Sequence, residues 1–278
     1  MNRKSKLFGI GACLLLILVV LYSLQGCAPK KRVLNMAVVP VDDAISTQEK
    51  YQLFVDYIEE GIGMEVNFMP VVSYAATVEA MKYGHADIAR LGPLAYVQAV
   101  AEAEVEPLVK AISKTTGQPF YYSLIISRPD LETLEGATFA YVDPGSMSGY
   151  GAPSVYIRNS GIELGKIMFA GSHPAVIEAV KNGSVDAGAI ADTRWATALR
   201  EGVIATDTLK IFATSDPIPY TLWTVQADMD PELREALLIT FLNMPEEVVF
   251  ALGANEMRFV IANDSDYDVV RQVWEAMD

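Results

Sequence analysis

The chain has 278 residues, is 51% apolar, and carries a formal charge of −14 with two cysteines and two histidines. That length suffices for one large domain or two lobes of ordinary size. So acidic a body excludes nucleic acid as a partner, and the scarcity of His and Cys excludes a His/Cys metal site, so no metal, cofactor or catalytic set is expected.

The first residues read as an export signal. Arg3, Lys4 and Lys6 precede an apolar run from Leu7 to Leu21, and Leu24-Gln25-Gly26-Cys27 follows. A positive start, a short apolar core and a small residue at a cleavage point mark a leader. The run is short for a membrane span, which needs about 20 residues. The Leu-x-Gly-Cys sequence resembles the signal of bacterial lipoproteins, which implies cleavage before Cys27 and lipid attachment to it, with Gln25 departing from the usual small residue. The alternative is an uncleaved anchor helix; both put the body outside the cytoplasm on a tether. Residues 1–26 are therefore read as a lipoprotein signal peptide and 27–32 as a tether. Loss of Arg3, Lys4 and Lys6 takes the formal charge from −14 to −17. Cys13 leaves with them, so no internal disulfide can form.

Past the tether, Val33 to Pro40 is a β-branched apolar run suited to a buried strand. Thr47 to Gly61 predicts an amphipathic helix with Phe54, Tyr57 and Ile58 on its apolar side. Strand 65–72, helix 74–83 and strand 86–91 follow, an alternation that predicts a mainly parallel sheet. Pro119 to Arg128 reads as a long strand leaving this first unit. Strand 137–142, helix 148–159 closed by Gly161, strand 166–169, helix 173–182, strand 186–191 and strand 209–213 form a second α/β set. Residues 217–223 read as a second crossing segment, and 231–244, 246–252 and 267–277 as helices. The resulting organisation is one lobe from 33–120 plus 216–278 and another from 121–215. Two crossing strands form a hinge that a ligand can close, as in periplasmic binding proteins.

A repeat runs through this pattern. Residues 78–87 (VEAMKYGHAD) and 177–186 (IEAVKNGSVD) share apolar-Glu-Ala-apolar-Lys-x-Gly-x-x-Asp at an ungapped offset of 99. Each copy predicts a helix, a glycine that ends it and a turn into a strand. Ser73 and Ser172 stand at equivalent N-cap positions. Tyr74 and His173 follow them, so both would face one cleft if the lobes face each other.

The segment Asp143-Pro144-Gly145-Ser146-Met147-Ser148-Gly149 follows a strand and opens a helix. It lacks the GxxxxGK[ST] and GxGxxG spacings of nucleotide sites. It reads either as a plain helix cap or as an anion cradle, in which Ser146 and Ser148 supply hydroxyls and Met147, Ser148 and Gly149 supply backbone N–H groups. A helix start carries about half a positive charge and binds phosphate-like anions without Lys or Arg. That suits an acidic chain, whose body cannot steer an anion from afar.

The chain is similar to the phosphate/phosphite/phosphonate-binding proteins of ABC transporters. The likeness rests on ADIARLGPLAYVQA (86–99), YVDPGSMSGYGAP (141–153), FAGSHPAVIEAVKNGSVDAGA (169–189) and SDPIPYTLW (215–223). It implies an α/β two-lobed periplasmic-binding-protein fold of class II type with two crossing strands, and a monomer that passes a small tetrahedral oxyanion to an ABC permease. It also implies ligand roles for Ser146 and Ser148, for His173 and for Tyr74. The family's middle hydroxyl is lost at Met147, which keeps its N–H. Acidic residues that hold the amine of aminoalkylphosphonates in relatives are absent at Thr193 and Thr221, and Leu91 stands where such relatives often carry tyrosine. An amine would lose its counter-charge in a buried site, so phosphite, phosphate, methylphosphonate or arsenate is expected.

Arg90 is read two ways, as a charged donor to the ligand or as half of a structural ion pair. His173 and Tyr74 have bland alternatives as a cap and a core ring. Tyr96, Tyr121, Tyr122 and Tyr220 are read as packing, and His85 as surface. Asp143 as a phosphoryl acceptor would need further carboxylates for magnesium, which the sequence does not place beside it, so no enzyme is expected. The remaining alternative is an oxyanion sensor, arsenate included, signalling to a membrane histidine kinase.

Overall fold

A computed structural model describes residues 32–39, 44–252 and 255–277. The leader, Cys27 and the tether up to Lys31 lie outside them. The chain parts between Val33 and Leu34 into a leading segment and a body. No helix among the described residues is long and apolar enough to cross a membrane.

Two sheets organise the body. The first has six strands in the order β13-β4-β12-β3-β1-β2 and the second five, β10-β6-β9-β7-β8. In chain order the first half begins with β1 (Val33–Val38), α1 (Ala44–Ile62), β2 (Glu65–Pro70), α2 (Tyr74–Lys82), β3 (Ile88–Leu91), α3 (Pro93–Glu102) and β4 (Val105–Ser113). β5 (Phe120–Tyr121) leads out, and β6 (Ser123–Ser127), β7 (Phe139–Tyr141), α4 (Ala152–Asn159), β8 (Ile167–Phe169), α5 (His173–Lys181), β9 (Ala187–Ala191), α6 (Asp192–Arg200) and β10 (Lys210–Thr214) build the second half. β11 (Ile218–Pro219) leads back, followed by β12 (Leu222–Gln226), α7 (Pro231–Leu242), α8 (Glu246–Ala251), β13 (Glu256–Ile261) and α9 (Asp268–Met277).

The first sheet is mixed rather than mainly parallel. β1 and β3 are parallel, but β12 enters antiparallel between β3 and β4. The cause is the return of the chain: after the second half, β12 runs back through the middle of the first sheet. The segment expected as one strand over 119–128 is two. β5 pairs antiparallel with β11 through Tyr121↔Ile218 and Phe120↔Pro219, and β6 joins the second sheet beside β9 and β10.

Burial explains the elements. β1 hides Leu34, Met36, Ala37 and Val38, as a strand covered on both faces does. α1 presents Tyr51, Phe54, Val55 and Ile58 to the core at helical spacing. Phe54 stacks on Trp223 with centroids 5.1 Å apart. The second sheet has an apolar cluster centred on Ile126, Ala140, Val176 and Ile190, and another centred on Ile125, Phe139 and Tyr141. Met147 and Ala191, from the second half, are packed into the core of the first. The Arg158 side chain donates to the carbonyls of Ala276 and, at 2.6 Å, Met277 at the end of α9. The halves are closed on each other.

The repeat has a structural meaning. α2 and α5 are nine residues each, capped by Ser73 Oγ on Ala76 N–H at 3.1 Å and Ser172 Oγ on Ala175 N–H at 3.3 Å. Gly84 and Gly183 end them in the left-handed region, at φ +66° and +72°. Asp87 Oδ2 then accepts from the N–H and side-chain amide of Asn35 in β1, at 2.7 and 3.0 Å. Asp186 Oδ2 accepts from the N–H and hydroxyl of Thr138, just before β7, at 2.9 and 2.6 Å. The repeated aspartate is a clamp that ties each helix–turn unit to the neighbouring parallel strand.

Candidate functional site

A cavity of about 100 Å³ lies where the two halves meet. Its wall includes Tyr74, Arg90, Ser146, Met147, Ser148 and His173, six of the seven residues singled out as ligand contacts. Gly149, the seventh, is not on the wall. Its N–H is spent on Ser146 Oγ at 3.1 Å, and its carbonyl accepts from Val142 N–H at 3.0 Å.

The cradle is built by an unusual first turn. Residues Met147–Gly151 form a π-turn ahead of α4, closed by Gly151 N–H on Ser146 O at 3.1 Å. Such wide turns recur at functional sites. The N–H groups of Met147 and Ser148 have no partner among the described residues, whereas Ser123 Oγ holds the Ser148 carbonyl at 2.7 Å. Gly145 abuts Tyr74 across the cleft: a Cβ there would sit 2.5 Å from Tyr74 Cβ.

His173 opens α5 and is electrically neutral. Its Nδ1 accepts from Ala191 N–H at 3.2 Å, so its proton resides on Nε2, which makes it a donor. Burial, and then the Arg194 charge, hold its pKa down at about 3. Tyr74 keeps its proton because burial raises its pKa, although the neighbouring Ser146 hydroxyl and Arg194 pull the other way.

Arg90 is half of a structural ion pair and also stands on the cavity wall. It sits near the end of β3, lines the cavity and forms an ion pair with Glu256 of β13, the two side chains being 11% and 3% exposed. Burial works against its charge, but Glu256, Tyr51 and Tyr220 outweigh that and raise its pKa.

Sequence reasoning missed further wall residues. Tyr121 and Tyr220, taken as packing, are buried against the cavity, and burial raises the pKa of both phenols. Thr193 and Thr221, noted only for lacking acidity, are also on the wall, and so is Arg194. The available signal was position: these residues follow the ends of strands or crossing segments, where α/β folds hold ligands. Tyr96 is packing, with its hydroxyl on Asp264 Oδ1 at 2.7 Å and its ring against Tyr267. Tyr122 is off the wall, and His85 is exposed.

The wall gathers the starts of five helices: α2 at Tyr74, α3 at Gly92 and Pro93, the π-turn and α4 at Ser146 to Ser148, α5 at Ser172 and His173, and α6 at Thr193. Each carries partial positive charge and unpaired donors. The described wall has no carboxylate. The arrangement can hold an anion and offers no nucleophile–base pair.

Comparison with known proteins agrees with this geometry. Residues 36–267 match the family of ABC-transporter phosphonate periplasmic substrate-binding proteins. The phosphate-import protein PhnD of Mycolicibacterium smegmatis is 30% identical over 270 residues, 86% of this chain and 84% of that protein. The probable phosphite-binding protein PhnD1 of Prochlorococcus marinus is 23% identical over 265 residues, 87% of this chain and 89% of that one. A structure of PhnD1 in complex with methylphosphonate shares the fold, with a TM-score of 0.79 at 21% identity, over 88% of this chain and 98% of that chain. These relatives are substrate-binding transport proteins rather than enzymes, and they do not favour the sensor alternative. The chain thus belongs to the periplasmic substrate-binding proteins of phosphonate-type ABC transporters, two-lobed proteins that take up phosphate and phosphonate compounds outside the cytoplasm.

Proposed function

We propose that this protein captures phosphate, phosphite or methylphosphonate, without an amine, and delivers it to an ABC permease while tethered to the membrane through lipid on Cys27. The ligand lies between a lobe of residues 33–120 plus 216–278 and a lobe of residues 121–215. Ser146, Met147 and Ser148 grip its oxygens, His173 donates from Nε2, and Tyr74 closes over it from the opposite lobe, with Arg90 behind.

The observation that carries this reading is the cavity itself. At about 100 Å³ it is below the roughly 300–1,000 Å³ of pockets for drug-sized ligands, which suits a compact anion. Its described wall is rich in donors and free of carboxylates, so an amine would find no counter-charge there.

The test is a calorimetric panel of phosphate, phosphite, methylphosphonate, aminoethylphosphonate, sulfate and arsenate against the wild type and the double variant Ser146→Ala/Ser148→Ala. The expected result is tight binding of one or more amine-free phosphorus oxyanions, weakened about a hundredfold or more in the double variant, since hydrogen bonds to charged groups contribute about 1.5–3 kcal/mol each. Preference for aminoethylphosphonate, or an unchanged affinity in the variant, would refute it. Labelling of the full-length protein with a radioactive fatty acid, lost in Cys27→Ser, tests the anchor.

A further inference from the structure

The five helix starts do not complete the electrostatics of the cavity. Arg194 lies on its wall, half-buried, as the third residue of α6. Among the described residues its guanidinium makes no hydrogen bond and no ion pair. Arg90, the other cation on the wall, has Glu256. Asp192, two residues before Arg194, is turned to the backbone, its Oδ1 accepting from Thr193 N–H at 2.8 Å.

Its place in the helix adds to the case. Cations are favoured at helix C-termini and disfavoured in the first turn, where the helix dipole is already positive. Arg194 stands near the positive end of α6 and beside the starts of four other helices. A guanidinium without a partner among the described residues, held there partly out of water, carries an electrostatic cost that an anion in the cavity would cancel. Its field reaches both halves of the molecule, acting on His173 across the wall and on Tyr51, Tyr74 and Tyr220 of the first half.

We propose that Arg194 is a ligand-binding residue that selects for charge. From its place on the cavity wall beside Thr193, its guanidinium pairs with the oxyanion and favours a doubly charged, amine-free phosphate or phosphonate over a zwitterion. This rests on the reading of the cavity as an oxyanion site and deepens it: amide dipoles and hydroxyls recognise the tetrahedral shape, and Arg194 sets the preferred net charge. A guanidinium suits the role because it keeps its charge at any pH the protein meets and presents paired donors to two oxygens at once. An ammonium on the ligand would instead meet like charge at this end of the cavity.

The test compares wild type, Arg194→Gln and Arg194→Lys by calorimetry with inorganic phosphate, methylphosphonate and aminoethylphosphonate, and records melting temperatures without ligand. The expected result is a loss of about ten- to a hundredfold in affinity of Arg194→Gln for the amine-free anions, the range of a charge-assisted hydrogen bond. Binding of aminoethylphosphonate should be unchanged or improved, and Arg194→Lys should retain most of the wild-type preference. Wild-type affinities in Arg194→Gln would overturn the proposal while leaving the oxyanion reading intact. A large drop in melting temperature without ligand would also overturn it, by assigning the guanidinium to a structural pair. Failure of the wild type to bind any of the three would sink both.

Discussion

His173 lines the cavity as a neutral imidazole, and burial enforces that. With its pKa held near 3 in the folded protein and near 6.5 in the unfolded chain, the unfolded state binds more protons across the interval between. Stability contributed by this residue is therefore complete above about pH 6.5 and drains away as pH falls toward 3. We predict that His173→Gln flattens the acid limb of the melting-temperature profile between pH 6.5 and 4; an acid limb as steep as that of the wild type would contradict it. Residue chemistry was only partly legible beforehand. Ser146, Ser148, His173 and Tyr74 announce themselves because caps and helix starts have local signatures. Arg194 does not, since nothing in its sequence neighbours predicts a cation on the cavity wall without a partner among the described residues. An ion pair of Arg90 is one of its two readings, but its partner Glu256 was not legible, because the two are 166 positions apart.

Among the elements, Gly145 lies close against Tyr74 across the cleft. Gly145 does not adopt a positive φ, and an added methyl would meet chiefly Tyr74, at 2.5 Å from its Cβ and 3.1 Å from its Cγ, and then Asp143 Oδ1 of its own turn at 3.3 Å. We predict that Gly145→Ala wedges the cleft: oxyanion affinity falls about tenfold or more while the ligand-free melting temperature shifts little. A matching fall in both would assign the glycine to the stability of its own lobe. The repeat made α2, α5 and their flanking strands readable, since serine caps, terminal glycines and clamping aspartates all sit at fixed offsets. Other elements gave no such signal. α3 is buried around most of its circumference and shows no apolar stripe. α6 has Ala191 at its N-cap, whose methyl offers no capping oxygen. In β13 the buried Glu256 interrupts the apolar pattern that marks a strand.

At the scale of the molecule, an acidic exterior encloses a cavity made positive by helix starts and by Arg194. The attraction is local, and the far field repels an incoming anion. Raising ionic strength from about 0.01 to 0.15 M shortens the screening length from about 30 to 8 Å. We predict that the association rate for phosphate, followed by stopped-flow fluorescence, holds steady or rises over that range; a steep fall would show long-range steering. The hinge adds a mechanical consequence. The ladder joining β5 to β11 has two rungs, and one of them is Pro219, which cannot donate. Tyr121 belongs to that ladder and Tyr220 follows it directly, and both rings are also cavity wall. The pivot and the surface it shuts on are therefore the same few residues. Under the proposed function, a guest whose substituent presses on those rings would push on the axle itself and prop the clamp ajar, so that bulk would be read by how far the clamp swings shut.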